Sequence, residues 1–188
     1  MSKFSDYLQI ISQVNDLSNG SGNGQSVQWL FHCGMLFSTK DKWWGDFKFR
    51  QAVHEGIDIT YFRTDKDNLQ VFDDSIKVPA MDDGIIANIC DDFLGQTLVV
   101  EHENSFIFNR RILFTYAHII PEKRLKIGQT IEKSEVIAKV CNTCKNPQLP
   151  PHLHFSCFEA SQQVLPEHLN WNLFSGGRDV NLIHPVFL

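Results

Sequence analysis

From Gln25 onward the chain is built of short segments rich in β-branched and aromatic residues, cut by Gly, Pro, Asn and Asp clusters. That punctuation constrains the fold more than any other feature. Val27–Phe37, Ile57–Phe62, Gly84–Ile89, Gln96–His102, Ser105–Asn109, Ile112–His118, Val136–Val140 and His152–Glu159 are strand-length pieces, with hardly a ten-residue helical pattern among them. They predict a mainly β class, with an antiparallel sheet core that is curled or sandwich-like. The 15 Phe, 4 Trp and 3 Tyr residues are enough to fill such a core. One segment differs. Phe4, Tyr7, Leu8, Ile11, Val14 and Leu17 recur at helical spacing and predict a short N-terminal amphipathic helix over 3–17. The turn residues Asn19–Gly24 that follow predict a linker. The organisation expected is therefore a helix and linker over 1–24 and one domain over 25–188. A dinucleotide-binding reading of those glycines fails, because a helix and not a strand precedes them. Arg63–Lys77 reads as a long polar connection of the kind that often forms a functional rim.

Composition removes several function classes. Lys and Arg number 17 against 22 Asp and Glu, a net charge of −5 with no basic block, which excludes the electrostatic footprint of a nucleic-acid binder. No apolar run approaches the ~20 residues that span a bilayer. Met1–Gln9 carries Asp6 with no long apolar stretch after it, so no signal peptide is expected, and location is left open between the cytoplasm and, on export, the cell envelope. Five cysteines are an odd count and do not form a disulfide framework. Cys141 and Cys144 read as loop cysteines, bridged if the protein is exported. Oligomeric state is not legible.

The eight histidines concentrate the chemistry. In Pro151-His-Leu-His-Phe155, strand alternation places His152 and His154 on one face, with Cα atoms roughly 7 Å apart, and Leu153, Phe155 and Cys157 on the other. In His54-Glu-Gly-Ile-Asp58, Gly56 and the β-branched run oppose helix, so a turn at Glu55-Gly56 should lead into a strand. That turn folds His54 back beside Asp58, with Ile57 and Ile59 facing the core. In Thr115-Tyr-Ala-His118, alternation predicts that Tyr116 and His118 share a face. A catalytic zinc takes three protein ligands and keeps one position open. His54, Asp58 and one of His152 and His154 supply such a set, and the spare histidine and His118 would flank the open position. His102, His32, His168 and His184 read as structural.

His54-x-x-x-Asp58 followed by His152-x-His154 resembles the pattern of the lysostaphin-type, or LytM-type (β-lytic), zinc metallopeptidases. Val78-Pro-Ala80, Asp83-Gly-Ile-Ile86, Tyr116-Ala-His118-Ile119 and Ile127-Gly-Gln129 fall in the same order, firmly over about residues 50–160. Val180–Leu188 is similar to the family's closing strand. The resemblance implies a small antiparallel β-sheet core with one Zn²⁺ in a groove walled by loops. It implies His54, Asp58 and His154 as metal ligands and His118 and His152 as unliganded catalytic histidines. The reaction it implies is hydrolysis of peptide cross-bridges in bacterial peptidoglycan by metal-activated water. Glu132–Glu135 and the cysteine loop through Pro151 replace a Gly-rich turn of the family, and Arg63–Lys77 is longer than its usual connection. Both changes touch groove walls. Trp43, Trp44 and Tyr116 are the candidates for a substrate-binding wall.

Two other readings fit parts of the sequence. One is a latent module of the same fold that binds peptidoglycan or regulates a wall hydrolase. The other is a cupin-type metal enzyme using His152, His154 and Glu159. The cupin pattern would want Gly at position 146, where Asn stands.

Overall fold

The structure, a computed structural model, describes residues 3–18, 27–64, 68–107, 110–142, 148–176 and 179–187, with the side chains of all but 103–107 and 187. The linker expected at Asn19–Gly24 and the Cys141–Cys144 pairing, through Cys144, lie outside those residues.

Helix α1 (Lys3–Val14) comes first, followed by β1 (Gln28–Leu30), β2 (Gly56–Ile59), β3 (Tyr61–Arg63), β4 (Leu69–Val71) and β5 (Lys77–Pro79). Then come β6 (Gly84–Asp91), β7 (Gln96–Ile107), β8 (Arg110–Pro121), β9 (Thr130–Ile131), β10 (Val136–Val140) and β11 (Leu153–Ser161). A single helical turn, α2 (Trp171–Phe174), and β12 (Val180–Ile183) close the order. The protein is mainly β with a short N-terminal helix, as the segment pattern predicts. A nine-stranded sheet runs β12-β11-β8-β7-β6-β9, with β2 paired to β11 and β10 bridging β5 and β8; β1, β3 and β4 form a separate three-stranded sheet. All strand pairs with a defined register are antiparallel.

Both faces of the large sheet are covered. On one, Phe4, Tyr7 and Ile11 of α1 join Ile57, Ile59, Tyr116 and Phe155 in the main core. The Tyr7 ring meets Tyr116 edge-on at 6.0 Å, and its hydroxyl donates to Pro79 O at 3.1 Å. Burying an aromatic ring in this way stabilises by about 1.5–3 kcal/mol. The helix therefore belongs to the core and is not a loose appendage. It stops at Val14, short of the predicted residue 17, because Asp16 takes a left-handed conformation (φ 55°) and Asn15 turns its side chain to the backbone of Lys77. On the other face, Val99, Leu113 and Phe158 pack under Leu169 and Phe174.

Three departures from the sequence pattern have local causes. Val27–Phe37 is a three-residue strand followed by a 3-10 turn at Cys33–Met35, because the His32 side chain caps that turn by accepting from Gly34 N–H. Arg63–Lys77 is not a continuous loop: Leu69–Val71 returns as β4 against β3. Gln96–His102 and the described part of Ser105–Asn109 belong to one strand, β7.

Candidate metal centre

Register brings the two distant motifs together. In the β2–β11 ladder Asp58 stands directly opposite His154, and in the β11–β8 ladder His154 stands opposite Ala117. Ile57 and Ile59 point into the core on one face of β2, so Asp58 points to the other. Gly56 makes the close approach possible, since a Cβ there would sit 2.5 Å from Phe155 O and Ser156 Oγ and 2.9 Å from His154 Nε2. His54, two residues before β2, is held by its backbone: its N–H donates to Thr39 O and its carbonyl accepts from Ser38 N–H, both at 2.8 Å.

The result is a compact set of donors. His54 Nε2 lies 3.0 Å from Asp58 Oδ1 and 3.0 Å from His154 Nδ1, and His154 Nδ1 lies 2.8 Å from Asp58 Oδ1. All three residues are buried, and these three residues form the described group able to hold a metal ion. The remaining ring nitrogens point outward, His54 Nδ1–H donating to Leu36 O at 3.1 Å and His154 Nε2 lying 2.6 Å from Ser156 Oγ. Outward partners of this kind fix the orientation of metal-binding imidazoles. Two nitrogens and one carboxylate oxygen are a donor chemistry that suits a zinc ion. The donor set fits.

Asp58 is held as an anion. Burial alone would raise its pKa, but His54 and His152, with hydrogen bonds from His154 and His54, keep it well below the usual carboxylate range. Its second oxygen accepts the Trp43 indole N–H at 2.6 Å and the Arg50 guanidinium at 3.3 Å. Arg50 also donates to Gly34 O at 2.8 Å and stacks over Trp44, 4.7 Å from the ring centroid.

The set lines a cavity of about 460 Å³, whose wall includes Trp44, Phe93, Trp171, His118 and His152. That volume is within the range of small-molecule and peptide clefts. His152 Nδ1–H donates to Pro150 O at 2.9 Å, and its Nε2 lies 3.8 Å from Asp58 Oδ1. Burial pushes its pKa down to about 3, against the pull of the Asp58 charge. The His118 ring lies 4.9 Å from that of His152 and 5.6 Å from that of His154.

All five residues expected at the site converge, but the alternation expected for Tyr116 and His118 fails. Between Gln96 and Leu98 of β7, which face Ile119 and Tyr116, β8 carries one extra residue, and His118 has φ 62°. This bulge lies where β8 exchanges β11 for β10 as its neighbour: Ala117 pairs with His154, Ile119 with Val140. It turns His118 to the cavity while Tyr116 stays in the core. Tyr116 is fully buried; its hydroxyl accepts from Met81 N–H at 3.0 Å and donates to His102 Nε2 at 2.8 Å, so it is not a cavity wall. Trp43 is likewise enclosed and acts on Asp58, and of the three expected wall residues only Trp44 lines the cavity. Glu159 accepts from Asn181 on β12 and is absent from the lining, so the cupin set does not assemble.

Asp92, Arg50 and Trp171 were not singled out by the sequence. Asp91-Asp-Phe-Leu-Gly95 has the look of a turn, but the partner of Asp92 is His118, 26 residues away.

The sequence profile of peptidase family M23 matches residues 52–166, more than half of the chain. The chain belongs to peptidase family M23, the lysostaphin/LytM-type peptidases. Among solved structures it is similar to the lysostaphin catalytic domain from Staphylococcus simulans (13% identity, 84% of this chain and 90% of that one, TM-score 0.44). It is also similar to the catalytic domain, in a mutant form, of the prophage-encoded M23 protein EnpA from Enterococcus faecalis (15%, 78% and 94%, TM-score 0.43). A zinc-containing peptidase from Vibrio cholerae matches at 22% identity over 69% of this chain and 32% of that one, with a TM-score of 0.42. No curated protein shows significant sequence similarity to the chain. Among the described residues, no helix is long and apolar enough to cross a membrane.

Proposed function

We propose that the protein is a zinc-dependent endopeptidase that hydrolyses peptide cross-bridges of bacterial peptidoglycan, with the peptidase domain over residues 25–188 and α1 packed into its core. The observation that carries this reading is the convergence of His54 Nε2, Asp58 Oδ1 and His154 Nδ1 within 4.8 Å of one another in the wall of a cavity that two further histidines also line. Membership of family M23 supports this reading.

His54, Asp58 and His154 would hold the ion. Zn²⁺ there would supply Lewis acidity for a carbonyl oxygen and would lower the pKa of a water towards ~7. The chain's own groups do the rest. Trp43 and Arg50 keep the second oxygen of Asp58 turned away from the two imidazoles. His152, with Nδ1–H fixed on Pro150 O, presents Nε2 beside Asp58. His118 and His152 are the groups able to accept the water proton and return it to the departing amine, work that typically contributes 10²–10⁴-fold. Trp44, Phe93 and Trp171 form apolar parts of the cavity wall.

The test is mass spectrometry of purified peptidoglycan incubated with the protein, with and without a chelator. New peptide termini that vanish with chelator are expected, and unchanged muropeptides would overturn the proposal.

A further inference from the structure

Both carboxylate oxygens of Asp92 are engaged by two groups of one distant residue. Oδ1 accepts from His118 Nδ1–H at 3.1 Å, and Oδ2 accepts from His118 backbone N–H at 2.8 Å. Oδ1 also accepts the N–H groups of Leu94 (2.8 Å) and Gly95 (2.7 Å), and Oδ2 the Thr97 hydroxyl (2.9 Å), which itself accepts from Trp171 Nε1–H at 2.9 Å. Capping the 92–95 turn needs only the Leu94 and Gly95 bonds. The grip on His118 is additional, and it falls on a residue held at φ 62°, a conformation that costs a non-glycine residue about 1–2 kcal/mol.

We propose that Asp92 is a positioning residue for His118: it holds the ring as the Nδ1–H tautomer with the Nε2 lone pair turned to the cavity, and so makes His118 the proton acceptor of the reaction. The inference rests on the peptidase reading above. His152 has the same tautomer, but a neutral carbonyl is its partner, Pro150 O. A carboxylate stabilises the imidazolium that forms on proton uptake, and a carbonyl does so far less. In the step itself, one water proton passes to His118 Nε2 as the water oxygen bonds the peptide carbonyl carbon. The Nδ1 proton stays on the bond to Asp92. Nε2 then returns its proton to the amine nitrogen as the C–N bond breaks, which leaves a free carboxyl and a free amine.

The experiment has two arms on the zinc-loaded protein. Turnover of purified muropeptides is measured for wild type, Asp92→Asn, His118→Ala and the double variant, with zinc content read for each. Asp92→Asn is expected to keep its zinc and lose ~10²–10⁴-fold in kcat with little change in KM, and the double variant to be no slower than His118→Ala alone. Asp92→Asn within two-fold of wild type, or losses that multiply in the double variant, would overturn the proposal. In the second arm, nitrogen-15 NMR of wild type reads the His118 tautomer, which needs neither turnover nor a folded variant. A protonated Nδ1 with a bare Nε2 supports the grip, and a protonated Nε2 refutes it. A wild type that cleaves nothing while showing the expected tautomer would contradict the peptidase reading alone.

Discussion

Trp43 Nε1–H donates to Asp58 Oδ2 at 2.6 Å, with both side chains buried. This bond leaves Oδ1 as the atom facing His54 and His154, so the indole sets which oxygen of the carboxylate is offered to a metal. A charge-assisted hydrogen bond of this kind stabilises by about 1.5–3 kcal/mol. Trp43→Phe keeps most of the packing and removes the donor. It is expected to weaken zinc binding 10–100-fold in a chelator competition, the usual consequence of losing an outer partner of a ligand.

The histidines should separate by role. His54→Ala and His154→Ala are expected to lose both zinc and hydrolysis, because each removes one of three donors. His152→Ala, which leaves the three donors in place, is expected to retain one zinc per chain and to lose turnover. Metal analysis beside a muropeptide assay reads both. Zinc lost from purified His152→Ala would contradict the division.

Gly56→Ala tests the approach of β2 to β11. The added methyl would meet backbone Phe155 O at 2.5 Å and Ser156 Oγ at 2.5 Å, so the two strands must move apart. A loss of about 1–3 kcal/mol in stability is expected from such overpacking, together with weaker zinc binding because Asp58 moves away from His154. Chemical denaturation and zinc titration measure the two effects.

His102 predicts how the fold responds to acid. Burial holds its imidazole pKa down to about 4 from the ordinary 6.5, although the Asp83 carbonyl and Asp82 pull it upward. The unfolded chain therefore binds this proton first, and stability falls as pH drops through 6.5 and levels off below 4. The full loss is about 3 kcal/mol, from 1.36 kcal/mol per pH unit. Above pH 6.5 the group contributes nothing to the slope. His102→Gln is expected to flatten the acid limb between pH 6.5 and 4 relative to wild type, read by denaturation at a series of pH values.

What the sequence disclosed and what it hid divide along one physical line. Local periodicity revealed α1, the short strands and the shared face of His152 and His154, because each depends on side chains a few residues apart. The turn expected at Glu55-Gly56 is absent, since Gly56 already pairs with Ser156 as the first residue of β2. Motif order located His54, Asp58 and His154 without any knowledge of register. The bulge at His118 was hidden, since it arises where β8 changes partners, and alternation therefore assigned Tyr116 to the wrong face. The roles of Trp43 and Asp92 were hidden for the same reason: their partners lie 15 and 26 residues away and are set by tertiary packing. Trp44 was legible as a wall candidate because it stands shortly before the His54 motif in the sequence.

The central claim is that His54, Asp58 and His154 together hold one zinc ion. Anomalous diffraction from crystals of the zinc-loaded protein, recorded on both sides of the zinc absorption edge, tests it most directly. One strong peak within bonding distance of His54 Nε2, Asp58 Oδ1 and His154 Nδ1 is the expected result. A peak held by any other set of side chains, or no peak in crystals grown with excess zinc, would contradict it.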